Sequence, residues 1–185
     1  MGTSITGRFE FSSTPIKGLV VSKRKPIVHD LGFFERFFCN KEFQDAGLQK
    51  PIVQMNYTMT RSRGSVRGLH FQHPPYAEIK IVTCLKGEVF DVAVDLRQGS
   101  PTFLRWHGEV LSAENHKSLY IPEGFAHGFY VLSKAAVIAY KCTDFYAPAQ
   151  DRTVLWNDPD IGIRWPLIGN AAPLLSPKDA GGVPL

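Results

Sequence analysis

The sequence predicts an all-β domain, a sandwich or a barrel, and three observations carry that expectation. From about Gly64 onward turn residues recur roughly every eight to twelve positions, and the segments between them are short, aromatic and β-branched. Helix signals are confined to two short stretches. The chain has 185 residues, 44% of them hydrophobic, enough for one full core, and it shows no repeat, low-complexity tract or dividing linker.

Taken in order, residues 40–46 predict a short helix, capped by Asn40 and stopped by Gly47. Residues 58–63 predict a turn. Residues 80–85 and 88–96, joined by Lys86-Gly87, predict a hairpin. In its second arm Phe90, Val92 and Val94 share one face, while Val89, Asp91, Ala93 and Asp95 share the other. Residues 118–121, 128–132 and 136–142 are further strand candidates. Ser176-Pro177-Lys178-Asp179 places a capping serine before a first-turn proline, with an acid three residues after the cap, and predicts a second short helix. The expected organisation is one domain over 1–185: an N-terminal strand and helix arm to residue 50, a core over 51–150, and a C-terminal segment over 151–185 packed on it.

Composition narrows the partners. The net charge of +4 comes from 21 basic and 17 acidic residues, with no basic run longer than Lys23-Arg24-Lys25. So diffuse an excess suits a small anionic ligand better than a nucleic acid. The three cysteines lack disulfide or metal spacing, which predicts reduced packing residues. No signal-peptide core and no stretch near the roughly 20 apolar residues of a membrane span is present, so the expected location is cytoplasmic, with no membrane partner.

Arg67-Gly68-Leu69-His70-Phe71-Gln72 places a cation and an imidazole three positions apart in a segment that reads as β, with Lys80 ten residues beyond His70. His127 sits in a similar setting, Gly124-Phe125-Ala126-His127-Gly128-Phe129, which suggests that two histidines face one pocket and that His70 and Lys80 lie side by side at a barrel mouth. Asp91 is a candidate to orient His127. Tyr140 stands among apolar strand residues, where a buried hydroxyl needs a partner. Asp179 fits a helix N-terminus. By themselves these residues leave structural and catalytic roles open. His70-Phe71-Gln72-His73 with Glu78 superficially matches a metal-ligand run, but an amide at position 72 is a poor transition-metal ligand, so no metal and no cofactor are expected.

The combination resembles the dTDP-4-dehydrorhamnose 3,5-epimerase family. The resemblance lies in Val66-Arg67-Gly68-Leu69-His70-Phe71-Gln72, in Gly87-Glu88-Val89-Phe90-Asp91-Val92-Ala93-Val94-Asp95-Leu96-Arg97, and in Leu111-Ser112-Ala113-Glu114-Asn115. It continues through residues 121–128, Trp156-Asn157-Asp158-Pro159 and Leu175-Ser176-Pro177-Lys178-Asp179, in the family's order. It implies a cupin-type jelly roll, a homodimer whose N-terminal segments cross to the partner, and metal-free inversion of carbon 3, carbon 5 or both in a nucleotide-linked 4-keto-6-deoxyhexose. By motif, His70 resembles the family's general base, Asp179 its dyad partner, Tyr140 the acid on the opposite face and Lys80 the group meeting the keto oxygen. Arg67, His127, Gln54, Asn56, Asp151 and Lys178 occupy positions that the resemblance associates with ligand contacts, as do Phe34 and Arg36 near the N-terminus.

Those residue types suit the chemistry. A hydrogen beside a ketone is weakly acidic, and an imidazole, with a reference pKa of about 6.5, accepts a proton near neutrality. A cation at the developing oxyanion supplies roughly 3 kcal/mol. Inversion needs a second group on the other face of the planar enolate.

Where the family shows Asp-x-Arg-Gly-Phe-Phe-x-Glu, this chain has His29-Asp30-Leu31-Gly32-Phe33-Phe34-Glu35-Arg36. Leu31 replaces an arginine and Arg36 an acid. A guanidinium satisfies the acceptor that cytosine presents where thymine presents a donor, so a CDP-linked substrate epimerised at one centre is the alternative. A non-catalytic sugar-nucleotide-binding jelly roll is the alternative of another class.

Overall fold

The computed structural model describes residues 3–47, 50–169 and 171–185. The strands are β1 (Thr3–Thr6), β2 (Phe9–Ser13), β3 (Val20–Arg24), β4 (Ile27–His29) and β5 (Gly32–Phe34), followed by helix α1 (Asn40–Asp45). Then come β6 (Gln54–Thr60), β7 (Val66–Gln72), β8 (Lys80–Lys86), β9 (Glu88–Asp95) and β10 (Trp106–Ser112). The chain continues through β11 (Lys117–Ile121), β12 (Phe125–Val131), β13 (Ala136–Cys142) and β14 (Asp151–Thr153), and closes with α2 (Pro177–Ala180).

Two antiparallel sheets face each other. One has seven strands in the order β1-β2-β3-β11-β8-β13-β6, the other five in the order β10-β9-β12-β7-β14. Val82, Leu119, Ile121 and Ile138 from the first meet Val89, Ala93, Leu111, Phe125 and Val131 from the second in one buried cluster. Each of these side chains larger than Ala93 contributes on the order of 2 kcal/mol by leaving water. The outer face of the five-stranded sheet, with Val92, Val94 and Tyr130, is covered by Val154, Ile161 and Trp165 of the C-terminal segment. Outside the seven-stranded sheet, Phe43 of α1 packs on Phe9, Phe11 and Ile81. The jelly-roll expectation holds, and so does the division of faces along β9.

Several local expectations need correction. Residues 80–85 and 88–96 are strands but not a hairpin, because β8 bonds to β11 and β13 whereas β9 bonds to β10 and β12. The intervening Gly87, at φ +77, is a corner between sheets, where an added Cβ would lie 2.2 Å from the Ala135 carbonyl oxygen. For the same reason His70 and Lys80 face each other from opposed sheets rather than lying side by side. Asn40 is the first helical residue, not the cap. Cys39 takes the cap position at φ −146 with no side-chain cap bond. β6 continues through Thr60, so the turn expected over 58–63 begins later, and β12 starts three residues before the expected 128. The second helix is capped as expected, with Ser176 Oγ accepting from the Asp179 N–H.

Candidate active site

Period-two alternation brings one wall of a cleft together on the seven-stranded sheet. Asn56 on β6 is the cross-strand partner of Tyr140 on β13, while Cys142 pairs with Gln54 on one side and Lys80 on the other. The other wall is the five-stranded sheet, where His70 on β7 and His127 on β12 are register partners and Asp151 on β14 lies opposite Gln72.

Arg67 and His70 are three residues apart, a spacing that would put them on opposite faces of a regular strand. Gly68, at φ +108, breaks the alternation, and both side chains line the same cavity. At Gly68 a Cβ would lie 2.6 Å from the His127 carbonyl oxygen, and at Gly128 it would lie 2.6 Å from that of Arg67. The pair of glycines therefore lets β7 and β12 approach closely beside the site.

A cavity of about 240 Å³ is lined by Thr58, Arg67, His70, Lys80, His127, Phe129, Ile138 and Tyr140. It adjoins a second of about 310 Å³ that shares His70, Lys80 and Tyr140 and adds Gln54, Asn56, Glu78, Tyr146, Asp151 and Lys178. Ten of the twelve residues expected at the site thus converge, with Asp179 directly behind His70.

Asp179 is 1% exposed. Its Oδ1 lies 2.8 Å from His70 Nε2, a short contact bent away from the ring N–H axis, and accepts the Gly68 N–H at 3.0 Å. Its Oδ2 accepts from Ser176 Oγ at 2.5 Å, with Arg67 Nη1 3.8 Å away. Burial opposes the charge, yet the close His70 imidazole and the bonds from Ser176 and Gly68 outweigh it and hold the carboxyl well below the usual range. Asp91 is the opposite case. It is fully buried, with its two oxygens 2.9 and 3.1 Å from His127 Nε2. Burial pushes its carboxyl up despite the counteracting His127 and Lys80. Tyr140 is likewise pushed up, first by burial and then by the charges of Cys142, Glu78 and Asp151, so it keeps its proton at neutral pH.

At the outer end Asp151 accepts from Lys178 Nζ and, at 3.1 Å, from Tyr146 Oη. Gln72, where a metal-binding barrel would want a ligand, uses its whole amide on backbone. Nε2 donates to the carbonyls of Tyr76 and Phe145 at 2.9 and 3.1 Å, and Oε1 accepts the Ala147 N–H at 2.7 Å. Among the described residues no group of three His, Cys, Asp or Glu side chains could hold a metal ion.

Phe34 and Arg36 are not brought to this cleft within the chain. Phe34 is exposed on the β4–β5 hairpin, and Arg36 Nη1 pairs with Glu42 at 3.0 Å. Sequence reasoning passed over Thr58, Phe129, Ile138 and Tyr146 as lining residues and considered Glu78 only toward a metal. Thr58 was recoverable from its spacing, two residues beyond Asn56 on the same strand face.

The family model for dTDP-4-dehydrorhamnose 3,5-epimerase matches residues 13–185. A dTDP-4-dehydrorhamnose 3,5-epimerase of Shigella flexneri is 48% identical over 170 residues, covering 91% of this chain and 92% of that one. One from Neisseria gonorrhoeae is 52% identical over 151 residues, 82% of this chain, and there the chain spans 45% of the relative's length. The crystal structure of a 3,5-epimerase from Legionella pneumophila in complex with dTDP-4-keto-L-rhamnose has a TM-score of 0.90 at 43% identity, covering 95% of this chain and 92% of that one. With its sequence pattern, two-sheet fold and nearly full-length likeness in accord, the chain belongs to the dTDP-4-dehydrorhamnose 3,5-epimerase family.

Proposed function

We propose that the protein is an isomerase of dTDP-rhamnose biosynthesis, inverting carbons 3 and 5 of a dTDP-linked 4-keto-6-deoxy sugar. The observation that carries the residue roles is the placement of His70 and Tyr140 on opposed sheets across one cavity. A planar enolate held between them has the imidazole on one face and the phenol on the other.

His70 takes the proton from the carbon beside the ketone, and the electrons of the C–H bond move into the enolate, leaving negative charge on the keto oxygen. The Asp179 carboxylate stabilises the imidazolium, and Lys80 offsets the charge on oxygen. Tyr140 then delivers its proton to the opposite face of the carbon as the carbonyl re-forms; the phenolate recovers a proton from solvent, and the His70 imidazolium releases its proton there. Arg67, Gln54, Asn56, Asp151, Lys178 and His127 surround the remainder of the substrate.

Arg36 is held by Glu42, which removes the main motive for a cytidine reading. A homodimer accounts for two exposed apolar rows: Met55, Tyr57 and Met59 on the edge strand β6, and Leu31, at 95% exposure, with Phe33 and Phe34 on the β4–β5 hairpin. No described helix is long and apolar enough to cross a membrane.

The test is turnover of a dTDP-linked 4-keto-6-deoxy sugar in deuterated water. Deuterium at carbons 3 and 5 with inverted product is the expected result, and absence of label at both would sink the reading. Competition with dTDP, UDP and CDP checks the nucleotide, and sedimentation equilibrium checks the dimer.

A further inference from the structure

Glu78 has no part in the proton transfers above, yet its carboxylate stands inside the cleft. It lies two residues before Lys80, at the end of the loop that leaves β7. The residue between them, Ile79, is fastened to the end of β13: its N–H donates to Thr143 Oγ1 at 2.9 Å, and its carbonyl accepts the Thr143 N–H at 3.2 Å. Residues two apart in an extended segment share a face. Glu78 and Lys80 accordingly meet, Oε1 to Nζ at 3.2 Å, with side chains only 10% and 12% exposed.

A carboxylate so shielded is costly unless paired. This one is paired with Lys80, the lysine assigned to the keto oxygen, and Cys142 stands beside Lys80 on the neighbouring strand. Lysine is a point charge on a flexible four-carbon stem, so its direction must come from a fixed partner. We propose that Glu78 is a positioning residue, holding the Lys80 ammonium toward the cleft and keeping a fixed negative charge beside the Tyr140 phenol.

The inference rests on the epimerase reading. Tyr140 is faced by acids from two elements, Glu78 before β8 and Asp151 on β14, with Cys142 on its own strand and Tyr146 beyond it. The cations and imidazoles lining the two cavities are Lys80 on the adjacent strand β8, Arg67 and His70 on β7 and His127 on β12 of the opposed sheet, and Lys178 on α2. Glu78 is among the charges that raise the Tyr140 phenol after burial, so removing it lets the phenol ionise at lower pH.

Glu78→Gln, nearly isosteric and neutral, tests this with two readouts. In protein labelled with ¹³Cζ-tyrosine, the Tyr140 signal, identified by its loss in Tyr140→Phe, is expected to reach its phenolate position about half a pH unit or more below wild type. The kcat is expected to fall about 10- to 100-fold with KM for the sugar nucleotide within about threefold, and the basic limb of kcat to move to lower pH. Glu78→Asp keeps the charge and is expected to restore the Tyr140 titration. An unmoved Tyr140 titration in Glu78→Gln overturns the proposal. So does a wild-type kcat, with or without a raised KM, since that would make Glu78 a substrate ligand or a packing residue. Failure of the wild type to incorporate deuterium counts against the epimerase reading, while the NMR titration still decides whether Glu78 acts on Tyr140.

Discussion

His70 and His127 are register partners across β7 and β12, and each backs onto its own buried carboxylate. The two pairs are unequal. Asp179 gathers a backbone N–H and a hydroxyl besides its histidine and is held as an anion, whereas Asp91 is dominated by burial and pushed toward its neutral form. An imidazole that must become an imidazolium during turnover is better served by the first.

Replacing His70 by alanine is therefore expected to cost at least about a thousandfold in exchange at both carbons, toward the upper end of what a positioned base supplies. Solvent deuterium incorporation measures it, and retained exchange would remove His70 from the role.

Tyr140→Phe separates the two half-reactions. With the phenol gone, His70 can still withdraw and return a proton on its own face, so label without inverted product is expected. Proton NMR of the sugar distinguishes the outcomes, and an unchanged rate of inversion would place the acid elsewhere.

Asp95 offers a stability test away from the cleft. It accepts from Arg97 Nε at 2.8 Å and Nη2 at 2.7 Å, Ser100 Oγ at 2.6 Å and Thr102 Oγ1 at 2.7 Å. Burial opposes its charge, but these bonds win and depress its pKa. A depressed carboxyl stabilises the fold above the unfolded pKa of about 4 and loses that contribution as pH falls further, through its folded value. Asp95→Asn should thus cost about 2 kcal/mol at pH 7. Thermal unfolding from pH 7 to pH 3 should show the gap to wild type narrowing; a constant gap would contradict the account.

Gly68→Ala puts a Cβ 2.6 Å from the His127 carbonyl oxygen at a backbone φ of +108. Strain of this kind costs about 1–3 kcal/mol before the clash is counted. A fall in Tm together with lost activity is expected, because relief of the clash moves β7 from β12. A soluble variant with wild-type Tm would show that the two strands need no such closeness.

Much of this molecule was legible beforehand wherever a single local pattern decides the outcome. The β13 strand runs over the expected residues, the two faces of β9 follow its alternation, and Ser176 caps α2. What escaped was the choice between alternatives with the same local chemistry. Lys86-Gly87 reads equally well as a hairpin turn or as a corner between sheets, and only long-range pairing of β8 with β11 and β13 selects the corner. Similarly, Gly68 was visible as a glycine, but its bend, which turns Arg67 and His70 into one cavity, was not. Glu78 was weighed only as a metal ligand, because its pairing with Lys80 and the shielding of both side chains emerge only in the fold.

Gln72 bears on what this scaffold could become. Its amide ties the loop after β7 to the turn after β13 through three backbone groups, and those two segments carry Glu78 and Tyr146 to the cleft. An imidazole has one donor and one acceptor at most when neutral, in a different shape, and cannot replace all three ties. Swapping in histidine to start a metal centre would loosen the tie between those segments as it supplied the ligand. A route from this barrel to metal-dependent chemistry would have to rebuild both loops first.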